Sequence, residues 1–117
     1  MLAAPAAAQQ PPRPTLSLEQ QMMVRCSAAF AIVAGDQARS VPSANAYPPM
    51  AQRGREFFVR SNARLMDELH LTREQVQGMM NAEAKTLQTR AAEAANPAAY
   101  LDSVMKPCLS VLEASGL

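Results

Sequence analysis

Apolar residues recur every three to four positions along four stretches of the chain, which is the spacing of one face of an α-helix. The first stretch follows Ser17 and the third follows Thr72, and in each case a glutamine stands three residues later, as in a capping box. The second stretch runs from Pro49 to about Leu69, and the fourth follows Asn96. The pattern therefore predicts four helices and no strand, which is an all-α fold.

The segments between the predicted helices indicate how the helices pack. Residues 40–49 contain three prolines and form a connector, whereas only a very short turn near His70 separates the second helix from the third. Helices joined so tightly pack antiparallel, and we therefore expect an up-down four-helix bundle. Pro107 lies inside the fourth helix, where proline removes a backbone hydrogen bond, and we expect a kink or a break there.

The two cysteines, Cys26 and Cys108, lie on the first and the last predicted helix. Cys26 is about 12 Å from the start of its helix, and Cys108 is about 10 Å from the end of its own. In an antiparallel pair these two heights coincide, so we expect a disulfide between the first and last helices. Because disulfides persist in oxidising compartments, the pair indicates an exported protein.

The N-terminal residues differ in composition from the rest of the chain. Residues 1–16 are rich in alanine, proline and glutamine, and the alanines before Gln9 match the small-residue pattern that signal peptidase cleaves. We interpret residues 1–16 as a signal-peptide remnant with a disordered Pro/Gln tail, and residues 17–117 as one helical domain. The alternative is the tail of a cytosolic protein. Alanine, arginine and proline usage favours a bacterial source, and we expect a periplasmic or secreted protein.

Composition disfavours several classes of function. Eleven Lys and Arg against ten Asp and Glu give a net charge of +1, which provides no field to attract nucleic acid, and no apolar run is long enough to span a membrane. No phosphate loop, CxxC, HExxH or serine-elbow motif is present, so we predict no catalytic residue, no cofactor and no metal. A metal-dependent enzyme built on His70, Asp67 and Glu74 remains the last alternative.

The predicted first helix is apolar on more than one face, which is typical of a central helix or of one that binds a partner. Eight methionines add adaptable apolar side chains. We predict a protein partner or client on a surface that contains Met22, Met23, Val24, Ile32 and Tyr47. The alternative is an inhibitor or immunity-type protein that binds one partner through the 40–49 loop.

A carboxylate interrupts the apolar side of the third predicted helix at Glu83. A buried carboxylate is costly unless a cation pairs with it. We therefore expect a buried ion pair between Glu83 and either Arg25 or Arg90.

Two five-residue segments share a signature: Leu-Ser-Leu-Glu-Gln at 16–20 and Leu-Thr-Arg-Glu-Gln at 71–75. Together they resemble the paired LTxxQ motifs of the Spy/CpxP-like periplasmic chaperones and stress proteins. The first copy has Ser17 in place of threonine, and each copy is followed by a helix that contains methionine. The resemblance implies an exported helical protein that holds clients on a concave surface without ATP.

Overall fold

Four α-helices follow one another along residues 14–117, which are the residues described in the computed structural model. Most of the predicted signal remnant and tail lies in residues 1–13, outside the described residues. Residues 14–117 contain no strand, and the predicted all-α up-down bundle is confirmed. The helices are α1 (Leu18–Ala38), α2 (Arg53–Leu69), α3 (Arg73–Glu93) and α4 (Pro97–Ala114), with a short 3₁₀ helix, Pro42–Ala46, between α1 and α2.

Side-chain caps set three of the four helix starts. The Ser17 hydroxyl accepts from the Gln20 N–H at 3.1 Å, and the Gln20 side-chain oxygen accepts from the Ser17 N–H at 2.9 Å. Thr72 and Gln75 form the same reciprocal pair at 3.2 and 2.8 Å, and the Asn96 side chain caps α4. Both predicted capping boxes and the Asn96 cap are therefore confirmed, because each depends only on residues within one turn.

The connector before α2 is held by a side chain of α1. The Gln37 side-chain oxygen accepts from the Met50 N–H at 2.9 Å. Its amide nitrogen donates, at 3.0 to 3.3 Å, to the carbonyl oxygens of Ala44, Tyr47 and Pro48. These bonds satisfy backbone groups that a helix would otherwise satisfy. As a result, α2 begins at Arg53, four residues after the predicted start at Pro49.

The last helix, α4, is continuous through Pro107, so the break considered for this position is absent. Proline removes the hydrogen bond to the carbonyl four residues earlier, which belongs to Ser103. Both Pro107 and Ser103 are exposed, so water can bond to the carbonyl that loses its partner.

The first helix is the centre of the bundle, because it packs against each of the other three helices. The larger core cluster surrounds the disulfide and includes Cys26, Phe30, Val33, Phe57, Leu87, Met105, Cys108 and Leu112. The second cluster joins the start of α1 to the end of α2 and the start of α3, through Met23, Val24, Leu65, Val76 and Met80. Four of the seven methionines at 14–117 are buried, so this residue type serves the core.

The predicted disulfide between the first and last helices is confirmed. Cys26 on α1 and Cys108 on α4 have Cα atoms 5.2 Å apart, within the range that a disulfide requires. Both residues are completely buried and lie 82 residues apart in the sequence. The bond therefore links the first and last helices of the domain within the larger core cluster.

Contact between α1 and α2 is close because of a glycine. A Cβ atom added to Gly54 would lie 3.1 Å from the Cβ atom of Phe30, which is tighter than ordinary packing. One turn further along α2, the rings of Phe57 and Phe30 meet edge to face, with centroids 5.2 Å apart. The absence of a side chain at Gly54 therefore fixes the distance between these helices.

Candidate binding groove

A groove lies over the first turns of α1, between the start-to-middle of α2 and the end of α4. These outer helices make few close backbone approaches to each other, so the part of α1 between them is left uncovered. The groove has a volume of about 610 Å³ and is open along one side. Its apolar lining consists of Leu18, Met22, Met23, Phe57, Val111 and Ala114. We refer to this feature as the binding groove.

Leu18 is the most exposed large apolar residue of the groove. Its exposed fraction is 76%, and Met22, one turn later on α1, is half-buried beside it. The only other large apolar residue that is strongly exposed at positions 14–117 is Val59 on α2, at 57%, which does not line the groove. Leu18 is therefore both strongly exposed and part of the groove lining, whereas Val59 is exposed outside the groove.

One edge of the groove carries a network of charges between α1 and α2. Arg64 contacts Glu19 at 2.9 Å and Glu68 at 3.0 Å, and Gln20 donates to Glu68 at 3.0 Å. The hydrogen bond from Gln20, and then the one from Arg64, lower the pKa of Glu68. All three charged groups are exposed, so the network orients the two helices and adds little stability.

Two further arginines of α2 reach the end of α4, and one of them, Arg60, also lines the groove. Arg53 contacts Glu113 at 2.8 Å and donates to the carbonyl oxygen of Leu117 at 2.6 Å. Arg60 donates to the carbonyl oxygen of Ser115 at 3.3 Å. Among residues 14–117, no carboxylate lies within 4.0 Å of the Arg60 guanidinium. Arg60 therefore brings to the groove a positive charge that no carboxylate of these residues contacts.

A single buried polar side chain, Ser61, lines the apolar floor. Its exposed fraction is 3%, and it lies among the lining residues of the groove. A hydroxyl group in this position lowers the cost of placing a polar atom in the groove, because it both donates and accepts.

A second, smaller depression of about 470 Å³ lies between the end of α1, the end of α3 and the start of α4. Ile32, Leu87 and Leu101 contribute its apolar surface, and Asp36 stands at its edge with Arg39 bound at 2.6 Å. This depression is separate from the binding groove and lacks its strongly exposed leucine.

The predicted partner surface is divided by the structure. Met22 lines the binding groove and Ile32 lines the second depression. Met23 also lines the binding groove, although it is only 5% exposed and packs in the second core cluster. Val24 is 6% exposed, packs in the same cluster and lines neither depression, so its assignment to a surface is wrong. The extra apolar face of α1 packs against α3, which is why it is apolar.

Tyr47, the fifth residue of that predicted surface, lies on the connector. Its hydroxyl donates to a carboxylate oxygen of Asp102 on α4 at 3.2 Å. Burial, and then the charge of Asp102 and the hydrogen bond to it, raise the pKa of Tyr47 to about 12. The side chain is half-buried and ties the connector to α4.

The predicted buried ion pair is not formed. Among residues 14–117, neither Arg25 nor Arg90 lies within 4.0 Å of the Glu83 carboxylate. Glu83 is half-buried and not fully enclosed, and Arg90 is exposed. The carboxylate therefore keeps contact with water, which removes the need for a buried cation.

The residues of the metal alternative do not form a cluster. His70 is exposed and ends α2 in a left-handed conformation with φ of 54°, where its N–H donates to the Met66 carbonyl. Asp67 is on α2 and Glu74 is on α3. No group of three His, Cys, Asp or Glu residues at positions 14–117 is arranged to hold a metal ion. None of the helices in this range is long and apolar enough to cross a membrane.

The groove itself has no signature in the sequence. Leu18 appears there as one more apolar residue of the first helix, and Ser61 as a polar residue on the inward side of the second. What makes them neighbours is the separation of α2 from α4, which depends on packing among residues far apart in the chain. Comparisons of the chain with family models, with curated proteins and with solved structures found no match in any of the three.

Proposed function

We propose that the protein is an exported bacterial binding protein, periplasmic or secreted and without catalytic activity, that holds an apolar segment of a protein partner in the binding groove. The observation that carries this proposal is the exposed Leu18 side chain beside an open apolar groove. Binding sites are typically concave and mainly apolar with a few polar groups, and the groove has this composition.

The disulfide supports export. Cys26 and Cys108 are fully buried in the larger core cluster, where the bond links the two ends of the domain. A bond of this kind is stable in the periplasm or outside the cell, whereas cytosolic reductants keep most thiols reduced. The proposed compartment follows from this chemistry.

A chaperone-like or envelope-stress role is the form of binding that we favour. The groove is open along one side, and the half-buried Met22 can adapt to different apolar side chains. The resemblance to the LTxxQ proteins supports the same role. In both copies of the motif, the leucine, Leu16 or Leu71, is partly buried against the second core cluster beside its capping box.

The inhibitor alternative is supported by the connector. The Gln37 side chain donates three hydrogen bonds to the connector and accepts one from it, which hold the connector in one conformation with Ser43 and Asn45 exposed. A loop held in this way loses little entropy on binding, which suits a protein that recognises one partner.

A pair of matched variants tests the groove. Leu18→Asp places a charge in the groove at the first position of α1, where an acidic residue suits the helix dipole and leaves folding intact. Val59→Asp places the same charge at the other strongly exposed large apolar residue of positions 14–117, which lies outside the groove. We expect Leu18→Asp to reduce the binding of an apolar fluorescent dye and the suppression of aggregation of a reduced test protein, and Val59→Asp to leave both unchanged. Equal effects of the two variants would contradict the proposal.

A further inference from the structure

The dimensions and charges of the binding groove indicate which kind of segment it holds. We infer that the occupant is an amphipathic helix of a partner protein that carries apolar side chains one and two turns apart and a carboxylate beside them. This inference rests on the proposed function and specifies the partner chemistry of the same groove.

The length of the groove matches helical spacing. On α2 the lining runs from Phe57 to Arg64, seven residues or about 10 Å along the axis, and on α1 it runs from Leu18 to Met23, about 7 Å. Apolar side chains at positions i, i+4 and i+7 of a helix span about 10 Å, which matches the α2 side of the groove. Because the groove is open along one side, a helix can lie across it and insert only these side chains.

Charge complementarity selects the sign of the occupant. Arg53 and Arg64 already contact Glu113 and Glu19, whereas Arg60 contacts no carboxylate of residues 14–117. Arg60 is exposed and lines the groove, so it can reach a carboxylate that stands beside the apolar anchors of an incoming helix. A lysine in that place would meet the positive charge of Arg60.

Three synthetic helical peptides test the inference with the full chain. They share leucines at i, i+4 and i+7 and differ at one flanking position, which is glutamate, glutamine or lysine. Fluorescence anisotropy gives the dissociation constant of each. Because an exposed ion pair contributes modestly, we expect the glutamate peptide to bind about three- to fivefold more tightly than the glutamine peptide, and the lysine peptide to bind weakest.

Two variants of α2 provide the control. Arg60→Glu is expected to reverse the order, so that the lysine peptide binds best. Arg55→Glu makes the same charge change on an exposed residue of the same helix that does not line the groove, and it is expected to preserve the order. Circular dichroism melts of both variants confirm that the bundle is folded, and high salt is expected to reduce the differences among the peptides.

The other outcomes overturn the inference in distinguishable ways. If all three peptides bind equally and Leu18→Asp abolishes their binding, the groove binds apolar segments without charge selection, and only the inference fails. Displacement of the dye by decanoate, with no binding of any peptide, assigns the groove to an acyl chain. A dimer in analytical ultracentrifugation that Leu18→Asp dissociates assigns it to a second copy of the chain. If no peptide binds and Leu18→Asp leaves dye binding unchanged, the proposed function fails as well.

Discussion

Removal of the disulfide is expected to bring the domain close to unfolding. The bond between Cys26 and Cys108 closes a loop with a sequence separation of 82 residues. In the chain-entropy model a loop of this length stabilises the folded state by about 4.5 kcal/mol at 25 °C. Since small domains have total stabilities of about 5 to 15 kcal/mol, this is a large share. The corresponding fall in melting temperature is roughly 20 °C or more.

Urea unfolding followed by circular dichroism measures the difference. The oxidised protein is compared with the same protein in dithiothreitol and with a Cys26→Ala, Cys108→Ala double variant. Both Sγ atoms are fully buried, so the double variant also loses packing and is expected to be slightly less stable than the reduced protein. Dithiothreitol should have no effect on the double variant. A difference below about 1 kcal/mol between oxidised and reduced protein would refute the assumption that the loop is open in the unfolded chain.

Three further predictions concern packing and titration. Gly54→Ala should destabilise the fold by about 1 to 3 kcal/mol, because the added Cβ lies 3.1 Å from the Phe30 Cβ of α1. Gly78→Ala on α3 meets nothing within 4 Å and should stabilise the fold by about 1 kcal/mol, because alanine favours a helix more than glycine does. Chemical denaturation measures both changes, and equal stabilisation by the two variants would contradict the close approach of α2 to α1 at Gly54. The pKa of Tyr47 is raised from 10.0 to about 12, so its contribution to the stability of the fold is present below pH 10 and is lost as the pH rises towards 12. The melting temperature of the unaltered protein should therefore fall across this pH range by more than that of Tyr47→Phe. Gln37→Ala should lower the free energy of unfolding by about 1 to 3 kcal/mol, because it leaves the N–H of the buried Met50 without its hydrogen-bond partner. It should also speed proteolysis of the connector, and an unchanged rate of cleavage would contradict the role of Gln37.

The features that the sequence predicts correctly depend on local geometry. The helix starts at Ser17, Thr72 and Asn96 are set by side chains within one turn, and the cysteine register follows from the fixed rise of an α-helix. Both kinds of information lie in short stretches of chain, so they survive without knowledge of the tertiary structure. The start of α2 was misplaced because Gln37, 13 residues before Met50, competes for the backbone of the connector.

The features that the sequence missed depend on how far apart the helices lie. Glu83 reaches water and not an arginine, and Val24 is buried by α3, although periodicity alone shows only that each lies on a given side of its helix. The binding groove likewise exists because α2 and α4 flank α1 with few close backbone approaches to each other. Interhelical distances are set by many contacts at once, and no single spacing in the sequence reports them.

The equivalent positions of Leu16 and Leu71 bear on whether the repeated motif is evidence of common ancestry with the LTxxQ proteins. Each leucine precedes a capping box, and both pack against the same apolar cluster, where α1 and α3 begin at one end of the bundle. In any protein in which two parallel helices begin beside one apolar cluster, a leucine followed by a capping box stabilises each helix start. The same motif can therefore arise independently in unrelated proteins by convergent evolution. Common ancestry has to be inferred from residues outside the motif.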